Sequence, residues 1–388
     1  MDFSLSAEQE AIKSAIGKVC ARFGDDYWLK KDREGGFPHE FHRAFVDDGW
    51  LGICIPQAHG GAGLGVTEAT IMMQAIAESG AGLSGASALH MNIFGLNPVV
   101  VFGNEEQKKR MLPPMVEGRD KACFAVTEPN VGLDTLKLKT KAVRQGDRYQ
   151  LSGQKIWIST AQVANKMLIL ARTTPLDEVK RRTDGLSLFY TDLDRDHVDV
   201  REIPKMGRSA VDSNELFIDQ LPVPAADRIG EEGRGFEYIL HGMNPERILV
   251  GAEAIGIGRA ALRKAAAYAN QRMVFDRPIG RNQAIQHPLA HCWMALEAAN
   301  LMAFKAASLY DAGKPCGLEA NAAKYLAGEA AFKACETAVM THGGMGYAKE
   351  FHVERYLRES LITRIAPITP HLILSFIAEK ALGLPKSY

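Results

Sequence analysis

Apolar residues recur at spacings of three and four from residue 4 to about residue 115, with turn-forming clusters between the periodic stretches, and this predicts a run of helices. Ile12, Ile16 and Val19 make one such face, and further helices are expected near 38–48, 67–80, 84–101 and 104–112. The pattern changes near Lys121. Short segments rich in β-branched and aromatic residues follow, among them 139–159, 165–173, 185–193 and 215–224, divided by Gly, Asp, Asn and Pro. This is the spacing of an antiparallel sandwich or barrel, with turns expected at Gln145-Gly146-Asp147 and Ser152-Gly153. From about Gly233 the helical period returns, in Ala-rich segments at 247–272, 283–312, 318–341, 350–362 and 369–382. Segregated runs of helices, strands and helices predict an α+β chain with a β domain between two all-helical domains. The absence of strand–helix alternation argues against a doubly wound sheet. The boundaries expected are 1–120, 121–231 and 232–388.

Length and composition agree with this division. At roughly 150 residues per domain, 388 residues amount to two to three domains. Lys plus Arg number 46, as do Asp plus Glu, so the net charge is zero and the usual electrostatic reason to bind nucleic acid or an anionic membrane is missing. Six cysteines at 20, 54, 123, 292, 316 and 335 form no CxxC pair, and reduced, mostly buried thiols are expected. The first residues carry neither a signal-peptide nor a transit-peptide pattern, so a cytoplasmic location is expected. No uncharged apolar run reaches about 18 residues, and no membrane span is expected.

Several motif-like stretches are better read as ordinary structure. The loop from His59 to Gly65 lacks both GxGxxG and the Lys-Ser/Thr of a phosphate-binding loop, and reads as a turn. Gly256-Ile257-Gly258-Arg259-Ala260-Ala261 matches G-x-G-x-x-A but lies in a helical pattern with no strand before it, where small residues serve close packing. His287 and His291 share a helix face but lack a third ligand, so no metal site is expected. His39 and His42 read as surface or capping residues. Neither Ser159 nor Ser213 sits in a G-x-S-x-G elbow.

Two segments stand apart. Phe124 to Gly132 and the strand Lys155 to Ser159 each end a β segment with an aromatic and a hydroxyl residue, a flat apolar surface beside a short hydrogen-bonding group, which suits an isoalloxazine ring but on spacing alone reads more readily as ordinary strand ends. With Ala125-Val126-Thr127-Glu128-Pro129-Asn130-Val131-Gly132 and Gly153 to Ser159 go three further blocks: Arg272-x-x-Phe275-x-x-Pro278-Ile279-x-x-x-Gln283, Ala338 to Tyr347, and Val353 to Glu359. In this order and spacing the five blocks resemble the acyl-CoA dehydrogenases over essentially the whole chain.

The resemblance implies a helical N-terminal domain, a middle β domain and a C-terminal four-helix domain. It also implies FAD bound between the last two with a contribution from a neighbouring subunit, a homotetramer, and an electron-transfer flavoprotein as acceptor. Phe124, Val126, Thr127, Trp157, Ile158 and Ser159 fall where the family meets the flavin ring, with Ser159 facing N5. Arg272 falls where a guanidinium from the adjacent subunit meets the pyrophosphate, and Phe275, Gln283, Met340, Gly343, Gly344 and Thr369 fall at other cofactor positions. Met340 stands where Gln is frequent. Leu133, Asn244 and Arg247 fall near substrate, with Leu133 in place of a frequent Ser.

The chemistry implied is α,β-dehydrogenation of an acyl-CoA thioester in fatty-acid β-oxidation, and it needs one carboxylate base poised beside Cα. Pro367 stands where the short- and medium-chain members carry theirs. Glu246, before Arg247, matches the isovaleryl- and long-chain-type position and is the expected base. Read without the resemblance, Asn244 would cap a helix, Pro245 would open it and Glu246 would complement the helix dipole. The functional alternatives are a flavin oxidase or monooxygenase on the same scaffold, or a catalytically silent partner subunit.

Overall fold

The computed structural model describes residues 3–387, apart from the side chains of Asn92 and Phe94. Seven helices come first: α1 Ala7–Cys20, α2 Asp25–Glu34, α3 His39–Asp47, α4 Val66–Ile76, α5 Gly82–Phe94, α6 Asn97–Phe102 and α7 Glu105–Val116. Their starts were legible as local signals. Ser6 and Gln9 exchange side-chain and backbone hydrogen bonds at the head of α1, as do Asn104 and Gln107 at the head of α7. The glycine-rich loop is a turn that feeds α4. Its helix terminus is already filled, because Asp311 accepts from the backbone N–H groups of Val66 and Thr67 at 2.8 Å each.

Eight strands form one sheet: β1 Ala122–Ala125, β2 Lys141–Gln145, β3 Arg148–Ser159, β4 Lys166–Arg172, β5 Leu186–Asp192, β6 Val198–Glu202, β7 Ser213–Pro224 and β8 Arg228–Ile229. The order is β6-β7-β3-β2-β4-β5-β8, with β1 beside β4. The long pairings are antiparallel; β1 runs parallel to β4, Phe124 opposite Leu168. One face encloses a core that includes Cys123, Tyr149, Ile158, Ile169, Phe189 and Leu216.

The C-terminal region comprises α8 Gly235–Gln271, a two-stranded hairpin of β9 Met273–Val274 and β10 Arg277–Pro278, then α9 Gln283–Asp311, α10 Gly317–His342, α11 Val353–Ser360, α12 Ile362–Ile365 and α13 Pro370–Leu382. Helix α8 starts twelve residues earlier than the apolar pattern suggested and carries Pro245 in its interior. Asn244 is therefore not a cap. Small residues bring the long helices together: a Cβ on Gly258 would lie 2.7 Å from Leu296 and 3.2 Å from the Cα of Ala331. The G-x-G-x-x-A stretch is thus a packing surface. Among the described residues no single helix is long and apolar enough to cross a membrane. The six thiols are free; all are buried except the partly exposed Cys54. His42, expected at the surface, is buried against Phe37 on the inner face of α3, and burial pushes its pKa down to about 3.

Helix α11 ties the domains together. Its Glu359 accepts from the backbone N–H of Leu83 at 2.7 Å and from the Ser84 hydroxyl at 2.7 Å, so a carboxylate from the last domain caps the N-terminus of α5. Arg355, fully buried, pairs with Glu359 at 3.2 Å and donates to the carbonyl of Gly80 at 2.6 Å. Gly82 is required here: its φ is +61° and a Cβ would stand 2.5 Å from a Glu359 oxygen.

Candidate functional site

The two segments singled out on the β domain meet. The Lys155 Nζ, fully buried, donates to the carbonyls of Val126 (3.0 Å) and Leu170 (2.9 Å) and to the Glu128 carboxylate (3.0 Å). The Ile156 N–H donates to the carbonyl of Thr127 at 2.9 Å. Glu128 in turn accepts from the N–H groups of Lys139 and Thr140. Burial pulls the Lys155 ammonium down to about 8 despite its carboxylate partner. Burial would raise Glu128, but Lys155 and the donors from 139–140 hold it below the usual carboxylate range. This interior pair fixes Val126 and Thr127 beside the end of β3. Lys155→Met leaves a buried carboxylate without its counter-ion and is expected to destabilise the protein by about 3–5 kcal/mol, measured by chemical denaturation. A loss below 1 kcal/mol would remove the pair from its structural role.

At the end of β3 the residues alternate in fate. Trp157 has φ +62° and is 57% exposed, while Ile158 is buried in the β core and its carbonyl accepts from Asn214 at 2.8 Å. The Ile158 side chain therefore faces the core, so any contact of this residue with a cofactor is through its backbone. Ser159 is partly buried, with its hydroxyl toward Arg208.

Glu246 precedes Glu253 on α8 by seven residues, about two turns, so both carboxylates face the same side. Between them His90 projects from α5. Its Nε2 donates to Glu246 and its Nδ1 to Glu253, the latter at 2.5 Å. Burial alone would lower the imidazole, but the two flanking carboxylates outweigh it and push it up to about 10, so His90 is a cation that donates from both nitrogens. Glu246 is mostly buried, at 12% side-chain exposure, and His90 holds its Oε2; no hydrogen bond to Oε1 is found among the described residues. Nearby, Arg247 donates to Asn244 Oδ1 at 3.0 Å while its Nε is buried without a partner. Pro245 has no N–H to give the carbonyl four residues back, which loosens the α8 backbone ahead of Glu246.

The remaining expected residues are spread along the C-terminal region. Arg272 ends α8, exposed, and Phe275 is at the tip of the β9–β10 hairpin, 93% exposed. Phe275 and Asp276 have φ of +51° and +58°, the pair of left-handed residues that a two-residue hairpin loop demands. Gln283 opens α9, and Met340, 74% exposed, lies in the last turn of α10. Gly343 and Gly344 follow, and a Cβ at either would meet nothing within 4 Å. Thr369 caps α13 through the Leu372 N–H, at 3.4 Å. Leu133 is exposed in the loop after β1. Among the described residues no cluster of His, Cys, Asp or Glu could hold a metal, and His287 and His291 are exposed.

Three family models match consecutive parts of the chain: the acyl-CoA dehydrogenase N-terminal domain over residues 6–119, the middle domain over 123–221 and the C-terminal domain over 233–381. The chain belongs to the acyl-CoA dehydrogenase family. Acyl-CoA dehydrogenase FadE12 of Mycobacterium tuberculosis is 35% identical, over 100% of this chain and 99% of that protein. Butyryl-CoA dehydrogenase from Megasphaera elsdenii superposes with a TM-score of 0.93 at 30% identity, covering 99% of this chain and 100% of that one. The FAD complex of PigA does so with a TM-score of 0.92 at 26% identity, covering 99% and 100%.

Within this acyl-CoA dehydrogenase, His90, Glu253, Ser87 and Arg208 were not found from the sequence. A signal for two of them exists. His90 interrupts the apolar stretch of α5, and Glu253 stands in a run of Gly, Ala and Ile, seven residues after Glu246. A charged residue in so small and apolar a setting requires a partner.

Proposed function

We propose that this acyl-CoA dehydrogenase oxidises the Cα–Cβ bond of an acyl-CoA thioester to the trans-2-enoyl-CoA, with Glu246 as the base that removes the α-proton. The observation that carries this reading is the Glu246 carboxylate, mostly buried, with one oxygen held by His90 and no hydrogen bond to the other among the described residues. A base must keep a fixed orientation and a lone pair toward Cα, and an anchored Oε2 with an unengaged Oε1 meets both needs. The exposed Trp157, the exposed Phe275 and the open space over Gly343 and Gly344 offer apolar surface and clearance suited to FAD. When bound, FAD supplies the acceptor for the hydride that leaves Cβ. Ser159 would donate to that ring, Phe124, Val126, Thr127, Gln283, Met340 and Thr369 would line the cofactor, and Arg272 would serve a neighbouring subunit's cofactor. Asn244 and Arg247 orient the thioester end of the substrate.

An assembly of four copies is supported by the large apolar residues left exposed on one chain: Trp293, Met294 and Leu301 on α9, and Leu374 and Leu382 on α13. The electron acceptor is an electron-transferring flavoprotein and the setting fatty-acid β-oxidation. Anaerobic titration of the yellow protein with a panel of acyl-CoAs tests the reaction. Bleaching of the flavin absorbance is expected, with slow reoxidation in air. Absence of bleaching by every thioester overturns the reading, and rapid reoxidation by O₂ with peroxide release replaces it by an oxidase.

A further inference from the structure

Arg208, in the loop between β6 and β7, points its guanidinium into the same site. Its Nη1 donates to the Ser87 hydroxyl at 3.0 Å and its Nη2 reaches the Ser159 hydroxyl at 3.5 Å. Ser87 precedes His90 by three residues on α5, so the guanidinium and the imidazole lie on one face of that helix, about one turn apart. Most interior cations elsewhere have a carboxylate or a ring of carbonyls, although among the described residues Arg247, like Arg208, has only a neutral partner, Asn244. Lys155 has Glu128, Arg355 has Glu359, Arg358 has Asp32, and Arg172 is ringed by backbone carbonyls. Among the described residues Arg208 has two neutral hydroxyls for its five donors and no carboxylate within 4 Å.

Its conformation is imposed. Arg208 has φ +57°, a left-handed backbone that a side-chain-bearing residue adopts at a cost. The segment before it is clamped by α11: Arg358 donates to the Met206 carbonyl at 2.8 Å, and a Cβ on Gly207 would lie 3.2 Å from the Arg358 backbone. The Val211 N–H closes the turn on the Arg208 carbonyl at 2.9 Å. The fields of Glu253, Glu359, Asp212 and Glu246 all reach this guanidinium, yet each of these carboxylates is already engaged, by His90, by α5 and Arg355, or by Gln162 and Asn214. A cation aimed into the site and lacking an anion is a receptor for one, and its planar fork matches a carboxylate.

We infer that the acyl group this enzyme accepts carries a carboxylate, gripped by Arg208 with Ser87 beside it. The inference rests on the acyl-CoA reading above and adds its substrate class.

The test pairs carboxylated acyl-CoAs with neutral isosteres: glutaryl-CoA against 5-methylhexanoyl-CoA, and succinyl-CoA against 4-methylpentanoyl-CoA. In the wild-type holoenzyme kcat/KM for the better carboxylated member is expected to exceed that of its isostere by at least about tenfold. Arg208→Gln is expected to cut that ratio about a hundredfold, with Arg208→Lys between the two. FAD content and affinity for free CoA, measured on the same proteins, distinguish a carboxylate from the phosphates of cofactor or substrate. Equal or better use of the neutral isosteres, a ratio unchanged in Arg208→Gln, or a loss confined to FAD or CoA binding would each overturn the inference. Failure of every thioester to bleach the flavin would instead overturn the acyl-CoA reading on which it rests.

Discussion

Glu246→Gln is expected to leave a folded, yellow protein whose flavin is bleached by acyl-CoA about 10³–10⁴-fold more slowly than in the wild type. Gln keeps the length and shape of the side chain and can still accept the hydrogen bond from His90, so the anchoring of α5 to α8 persists. What it loses is the ability to take a proton. The α-proton of a thioester is too weakly acidic for solvent water to remove at a useful rate. A base that lies mostly out of water and is held by one oxygen therefore has no nearby substitute: Glu253, the other carboxylate of the cluster, is turned to the Nδ1 side of His90. Stopped-flow reduction under anaerobic conditions measures the effect. Near wild-type bleaching would remove Glu246 from the role of base and leave it a structural partner of His90.

His90→Gln is expected to have the second largest effect, and its signature lies in the pH profile. In the wild type a protonated imidazole separates two carboxylates that would otherwise repel each other across the α5–α8 interface. Removing that cation makes ionisation of the pair harder. The acid limb of kcat/KM should move to higher pH, so that activity is lost more on the acid side of the profile than at pH 9. Glu253→Gln should leave the cation in place and move the limb in the opposite direction. A merely structural role would lower activity evenly across pH, and such a flat loss would refute the assignment. The same group enters stability with a defined sign. The imidazole is raised from an ordinary 6.5 to about 10 in the folded protein, so its contribution is complete below pH 6.5 and is lost as pH rises through about 10. The stability gap between wild type and His90→Gln should therefore be widest below pH 6.5 and shrink toward pH 10.

Much of the fold was legible because the signals were local. Ser6, Asn104 and the Gln residues three positions later mark helix starts, and Gly146 marks the turn between β2 and β3; the turn expected at Ser152-Gly153 is instead a bulge inside β3, where pairing with β7 carries the strand through the glycine. The start of α8 was missed because Pro245 argues for a boundary, whereas tertiary packing carries the helix through it. His42 was misread for a similar reason, since nothing local distinguishes a histidine on the buried face of α3 from one on its outer face. The β9–β10 hairpin carries no Asn-Gly or Gly-Gly signal; Phe275 and Asp276 fill its left-handed positions against propensity.

The site divides in the same way. Glu246, Trp157 and Ser159 lie in contiguous stretches, and a contiguous stretch keeps its chemistry whatever surrounds it. The partners of Glu246 do not. His90 is 156 residues away and Arg208 lies in a loop of another domain, and both are aimed by α11, whose Glu359 caps α5 and whose Arg358 clamps Met206. By itself the chain determined its elements, their segregation into helical, β and helical regions, and the carboxylate most suited to act as base, since propensity, capping and short motifs depend on near neighbours. The charge state of the cluster, the inward turn of Ile158 and the unanswered guanidinium of Arg208 were decided only by tertiary structure. Burial and through-space fields act between groups that the sequence holds far apart.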